Sequence, residues 1–298
     1  MNQESKGFTL IELLIVIAVL GILSVGVLIA LNVTGNLNKA SLAKVKTFSA
    51  SIENDLSINQ VGKWSFEETT TPSKDTSGYQ NDASWNGGVT WQDANTCGLG
   101  FKGCLKFDGS VNTYVEATSA FGDKDFKTAP FTIALWVNPS SLAVSPGGDP
   151  VLISIGNTTN ENLKILVFIS GRSVAPIFVS WHKSPGGERY GLRPTNNKIL
   201  PLNTWSHIVI THNGTEPSTT SSRIYLNSNI LPVTTDAGSW TIIEANKVRI
   251  GAGGNALGGD QYFSGLIDEV AVYNQSLTAY QIQHLYAQGL PRHQLAKK

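Results

Sequence analysis

Phe131-Thr132-Ile133-Ala134-Leu135-Trp136-Val137 is the stretch that decides the fold. It is apolar, rich in β-branched and aromatic side chains, and of strand length, which reads as a β-strand set in a core. From Trp64 onward such runs recur. Candidate strands lie near 63–67, 88–92, 104–107, 113–117, 130–138, 150–155, 163–170, 175–182, 204–212, 222–227, 229–234, 240–243, 247–251 and 262–273. Turn formers separate them, among them Asn86-Gly87-Gly88, Pro146-Gly147-Gly148, Ser184-Pro185-Gly186-Gly187 and Asn213-Gly214. Many short strands with Gly-rich turns imply a β-sandwich, here over 62–290. Trp136 and Trp205 fall in strands of which one face must be buried. A short C-terminal helix follows. Thr278 and Gln281 form a capping box, Ile282, Leu285 and Tyr286 an apolar face, and Gly289 then Pro291 mark its end, leaving 291–298 as a tail.

The other end of the chain is different in kind. Phe8 to Leu31 is a run of twenty-four residues, apolar except for Thr9 and Ser24 and for one carboxylate, Glu12. At about 1.5 Å per residue a helix of that length crosses a hydrocarbon core of roughly 30 Å. A charge inside a membrane costs on the order of 2.5–3.5 kcal/mol at mid-helix, so Glu12 needs a partner. A secretory signal fits poorly, because the run exceeds the roughly 7–15 residues of such a core and no small-x-small cleavage site follows. Beyond Leu31, Leu42, Val45, Phe48, Ile52 and Leu56 recur at helical spacing, so 32–61 reads as an amphipathic stalk helix and linker whose stripe packs on the globular head.

The 22 acidic and 22 basic residues cancel, and no basic stripe suggests nucleic acid. Charged residues make up 15% of the chain against 29 Gly and 7 Trp, the composition of a turn-rich extracytoplasmic β domain. The two cysteines, Cys97 and Cys104, enclose a short Gly-rich loop; they form a tight disulfide in an oxidising compartment or remain two buried thiols. Two thiols without neighbouring histidines cannot complete a zinc shell.

The pattern Lys6-Gly7-Phe8-Thr9-Leu10-Ile11-Glu12 with its apolar run resembles the N-terminus of type IV pilins and pseudopilins. The resemblance implies a leader, residues 1–7, that prepilin peptidase removes after Gly7, N-methylation of Phe8, and pairing of Glu12 with the N-terminal amine of a neighbouring pilin subunit. A paired carboxylate is tolerable in the membrane where a lone one is not. The resemblance implies anchoring in the bacterial cytoplasmic membrane through 8–31, with the domain outside and at the cell surface after assembly. Lys39, Lys44 and Lys46 then lie on the outer side, so orientation rests on the leader and not on the positive-inside bias. The apolar run has no Pro, which favours a pseudopilin or minor pilin over a major filament subunit.

A second resemblance spans about 63–289. Trp64-Ser65-Phe66-Glu67-Glu68, Asp75-Thr76-Ser77-Gly78, Leu105-Lys106-Phe107-Asp108-Gly109, 131–137, 205–211, Arg223-Ile224-Tyr225-Leu226-Asn227 and 265–274 together resemble the laminin G-like jelly rolls of the concanavalin A-like lectin/glucanase superfamily. That family often holds calcium at the sandwich rim, which carries over to Asp75 and Asp268 as oxygen ligands. It recognises glycans or proteins, and Trp181, Tyr190, Trp240 and Tyr262 are the aromatics near loops that would meet such a ligand if they are not core. Hydrolysis is not expected. The E-x-D-x-x-E cluster of the glucanase branch is missing, and Asp268 with Glu269, as strand neighbours, point to opposite faces and cannot flank one bond. His182, His207, His212, His284 and His293 show neither metal spacing nor a nucleophile motif. The expectation is a non-enzymatic pilin-like subunit displaying a binding domain. A structural pseudopilin with no ligand is the alternative, and a surface glycosidase a weaker one.

Overall fold

The computed structural model describes Lys44 and residues 46–98, 102–118, 124–126, 129–142, 148–156, 164–169, 177–182, 189–195, 200–215, 218–236, 244–254 and 260–294. The chain divides into two units, Met1–Asp55 and Leu56–Lys298. Gly7, Phe8, Glu12 and the run 8–31 lie outside the described residues, and among those described no helix is long and apolar enough to cross a membrane. Within the segment 32–61 the described residues form a helix over 46–59 (α1); of the expected apolar stripe Leu56 is buried and Phe48 is 59% exposed, while Leu42 and Val45 lie outside the described residues.

Among the described residues twenty strands follow, and those of the sandwich pair antiparallel in two sheets of eight described strands each. The first sheet runs, edge to edge, Asn229–Ile230 (β14), Ser222–Leu226 (β13), Ser206–Asn213 (β12), Pro130–Pro139 (β7), Ser264–Tyr273 (β20), Gly103–Asp108 (β4) and Thr90–Asp93 (β3); Gln60–Trp64 (β1) pairs with the second half of β20. The second runs Val233–Asp236 (β15), Arg189–Pro194 (β11), Ile177–His182 (β10), Lys164–Ile169 (β9), Val151–Gly156 (β8), Lys247–Ile250 (β17), Tyr114–Thr118 (β5) and Ser84–Asn86 (β2). One apolar cluster joins the inner faces. Phe131, Ile133, Leu135 and Val137 of β7 meet Val167, Val179 and Trp181 of β9 and β10 there.

Strand β7 is buried along most of its length, and alternation explains how. Its odd-numbered side chains enter the sandwich, whereas Ala134 and Trp136 face the other way. That outer face is covered by Ala279–Gln294 (α3), whose Tyr286 and Leu290 join a second cluster with Trp136, Trp205, Cys97 and Cys104. The capping box forms as expected: Thr278 N–H donates to Gln281 Oε1 (2.7 Å) and Gln281 N–H to Thr278 Oγ1 (3.4 Å). The helix nevertheless runs through Gly289 and Pro291 to Gln294. Beyond the proline, His293 accounts for the extra turn, being stacked on Trp136 at 3.9 Å and bonded through Nδ1 to Gly289 O at 2.8 Å.

The single candidate strand 229–234 is two strands on different sheets, because Leu231-Pro232 breaks the ladder and lets the chain cross over. Strand β11, Arg-Tyr-Gly-Leu-Arg-Pro, had no place in the sequence reading: its Gly, Pro and two arginines mask a ladder that β10 and β15 supply from either side.

Candidate functional site

Between α3 and the outer face of the first sheet lies a cleft of about 380 Å3. Its floor follows from register. Ala271 of β20 pairs directly with Ala134 of β7, so two methyl groups stand where bulky residues flank them along both strands. Above the floor, Gly289 of α3 lies so close to Trp136 that an added Cβ would meet Nε1 at 2.5 Å. Leu285 and Gln288 of the helix complete that wall.

The ends of the cleft are polar. At one end His207 of β12 pairs across the ladder with Trp136, ring centroids 5.0 Å apart. It is 3% exposed, and its Nδ1, sealed from solvent, has no hydrogen-bond partner among the described residues. Burial pushes its imidazole down to about 3, because a low-dielectric site penalises the cation. At the other end stand Lys63 of β1, Glu269 and Tyr273. The Tyr273 hydroxyl accepts from Gln60 Nε2 at 3.1 Å, and burial with the nearby Glu269 charge, offset in part by the Gln60 bond, raises its pKa. Among the described residues no carboxylate pairs with the Lys63 ammonium.

A β-bulge decides which carboxylate reaches the cleft. The β20–β7 register shifts between Asp268 and Ala271, Glu269 takes φ of 46°, and its N–H donates to Asp268 Oδ1 at 2.8 Å. The expectation that Asp268 and Glu269 point to opposite faces is thereby corrected. The extra residue resets the alternation, so that Glu269 lines the cleft while Asp268 also turns toward α3, its Oδ2 3.6 Å from His293 Nε2. Asp268 is 0% exposed, sealed beneath the helix.

The carboxylates expected to hold calcium have separate occupations. Asp75 Oδ1 accepts the main-chain N–H groups of Lys63 and Ser77 and Oδ2 that of Asn81, each at 2.9 Å. Asp268 faces His293, a cation when protonated. Among the described residues no three His, Cys, Asp or Glu side chains group to hold a metal. Three of the four aromatics expected to meet a ligand are buried. Trp181 and Tyr190 pack edge to face, 5.7 Å apart, in the sandwich core; Tyr262, on the strand Asp260–Tyr262 (β19), is buried; and Trp240 lies outside the described residues. Cys97 and Cys104 are joined, Cα atoms 5.8 Å apart. The short helix Ala94–Cys97 (α2), which ends at the bridge, is fastened to the second cluster by Trp205 Nε1 donating to Cys97 O at 2.8 Å.

Sequence reasoning missed Lys63, His207 and the paired alanines. The signals were faint: one His in an apolar strand, and one Ala inside each of two bulky strands.

Two antiparallel sheets over a common core, with a helix on the outer face, define a lectin-like sandwich. Residues 108–283 match the concanavalin A-like lectin/glucanases superfamily, and the chain belongs to that family. Residues 3–28 match the prokaryotic N-terminal methylation motif, the type IV pilin signature. No curated protein matches the chain. Among solved structures it is similar to domain 4 of AbnA, a GH43 extracellular arabinanase from Geobacillus stearothermophilus, in complex with arabinotriose (TM-score 0.53, 16% identity, covering 76% of this chain and 98% of that one). It is also similar to the receptor binding domain of botulinum neurotoxin type G (0.52, 18%, 77% and 51%) and to the binding domain of Paraclostridial Mosquitocidal Protein 1 (0.56, 16%, 78% and 53%). It spans about half the length of the two toxin domains. At these identities the likeness is one of fold.

Proposed function

We propose that this chain is a minor pilin or pseudopilin that displays its laminin G-like domain at the cell surface as a non-enzymatic binding module for an extracellular glycan or protein. The observation that carries the reading is the presence in one chain of the methylation motif at 3–28 and the lectin-like domain at 108–283. Prepilin peptidase removes 1–7, Phe8 becomes the methylated N-terminus, and Glu12 pairs with a neighbouring subunit's amine. The chain is thereby mounted in the membrane through 8–31. Two similar domains support the binding role by their own descriptions, one solved with arabinotriose and one a receptor binding domain. A glycosidase needs two carboxylates that reach one bond, and Asp268 is sealed while Glu269 lines the cleft.

The test is Gly7→Leu in the native host. Loss of leader removal and of surface display is the expected result, and normal processing and display of the variant would refute the pilin reading. A glycan array probed with the wild-type chain tests the binding role: competable binding supports it, and a blank array with normal display leaves a structural pseudopilin.

A further inference from the structure

We infer that Asn213 is a site of spontaneous covalent modification, at which the Gly214 nitrogen closes on the side-chain amide to a succinimide that opens to aspartate or isoaspartate. This stands apart from the binding role and from the pilin reading. The sequence holds two Asn-Gly pairs, Asn86-Gly87 and Asn213-Gly214, alike in intrinsic chemistry because glycine leaves the attacking nitrogen unhindered. In the step, the Gly214 N–H gives up its proton and the nitrogen bonds to Asn213 Cγ; the Cγ–Nδ2 bond breaks, and Nδ2 leaves as ammonia with that proton. Water then opens the ring at either carbonyl, so one water enters, one ammonia leaves and one carboxylate is gained. Tertiary structure separates the two pairs.

Asn213 is the exposed last residue of β12. Its N–H is fixed to Ser221 O at 2.9 Å, but its ladder partner on β7 is Pro130, which has no N–H to donate, so the Asn213–Gly214 peptide is not tied to that strand. Rotation into Gly214 is left open. Asn213 Oδ1, the oxygen that gains negative charge as the nitrogen attacks, already accepts the Thr215 N–H at 3.1 Å and the Thr215 hydroxyl at 2.7 Å. Two donors aimed at a developing oxyanion lower the barrier to it. Among the described residues neither the Gly214 N–H nor Asn213 Nδ2 donates a hydrogen bond, so nucleophile and leaving group are unencumbered. Asn86 differs on these points. It lies in the ladder of β2, paired with Tyr114, and its Nδ2 donates to Ser84 O at 3.3 Å, which holds the leaving group. Gly87, at φ of 59°, is packed so tightly that an added Cβ would strike Asn112 O, and the attacking peptide has no room to turn. At position 213 the aspartate product keeps both Thr215 donors, because a carboxylate accepts, whereas isoaspartate lengthens the main chain by an atom at the strand end. Either product adds a negative charge to a chain whose 22 acidic and 22 basic residues cancel.

The test is made on the full chain in detergent micelles, held in mildly alkaline buffer and sampled over weeks. Each sample is reduced and digested with trypsin, and the peptides 199–223 and 75–102, which carry Asn213 and Asn86, are followed by mass and chromatography. Conversion at Asn213 is expected to run at least about tenfold faster than at Asn86 and to yield isoaspartate together with aspartate. In urea, where no fold distinguishes them, the two pairs are expected to convert at closely similar rates. Thr215→Val, which removes the hydroxyl donor and keeps the N–H, is expected to slow Asn213 by about threefold or more. Equal rates in the folded chain, faster conversion at Asn86, aspartate without isoaspartate, a difference that persists undiminished in urea, or a Thr215→Val rate equal to that of the wild type would each overturn the inference. The comparison of folded with urea-unfolded chain uses the wild type alone, so the outcome stands even if the variant folds poorly.

Discussion

Lowering the pH from 8 to 5 is expected to weaken the domain through His207, and the size of the effect follows from its burial. The ordinary imidazole value is about 6.5, and the folded protein holds His207 at about 3. The unfolded chain therefore takes up a proton at this residue through about pH 6.5, while the native state resists until about pH 3. The stabilisation from keeping His207 neutral is complete above 6.5 and is lost progressively as pH falls through that window. At pH 5 the unfolded imidazole is protonated about thirtyfold over neutral, which corresponds to about 2 kcal/mol lost relative to pH 8. In a domain of this size that lowers the midpoint by about 4–8 °C. The assay is urea unfolding of the wild type and of His207→Gln at several pH values from 8 to 5. The quantity read is the difference in pH slope, so the other histidines and carboxylates, common to both proteins, cancel. The variant is expected to be less stable at pH 8 but to lose about 2 kcal/mol less on acidification. Parallel curves would refute the reasoning, as would an NMR titration in which the folded His207 ring protonates near 6.5.

Gly289→Ala places a Cβ 2.5 Å from Trp136 Nε1, so α3 must lift; a loss of about 1–3 kcal/mol in chemical denaturation with altered Trp fluorescence is expected, and an unchanged midpoint would show that the helix yields freely. Replacing both cysteines, Cys97→Ser with Cys104→Ser, opens a short loop and is expected to cost about 2–3 kcal/mol, with weaker near-UV dichroism because Trp205 loses its fixed acceptor at Cys97. Melting in calcium and in chelator is expected to give one midpoint, since Asp75 is engaged by three amides and Asp268 by the α3 side; a calcium-dependent rise of several degrees would place an ion that these residues do not explain.

What the sequence determined by itself is local or periodic. Strand-length runs such as 131–137 announced a sandwich because alternation along a strand is enough to demand two faces. The Thr278–Gln281 box and the Cys97–Cys104 loop were legible because their partners lie three and seven residues apart. The methylation motif was legible for the same reason. The cleft was not. Its residues come from β1, β7, β12, β20 and α3, and only the non-sequential order β12-β7-β20-β1 makes them neighbours. Face is a further decision that spacing leaves open: Trp181 lies in the core and Trp136 on the opposite side of its sheet because register assigned them there. At Glu269 one bulge residue reversed the parity that alternation predicts. Long-range pairing and a single local backbone reversal determined which side chains share the cleft, and neither is written in any short stretch of the chain.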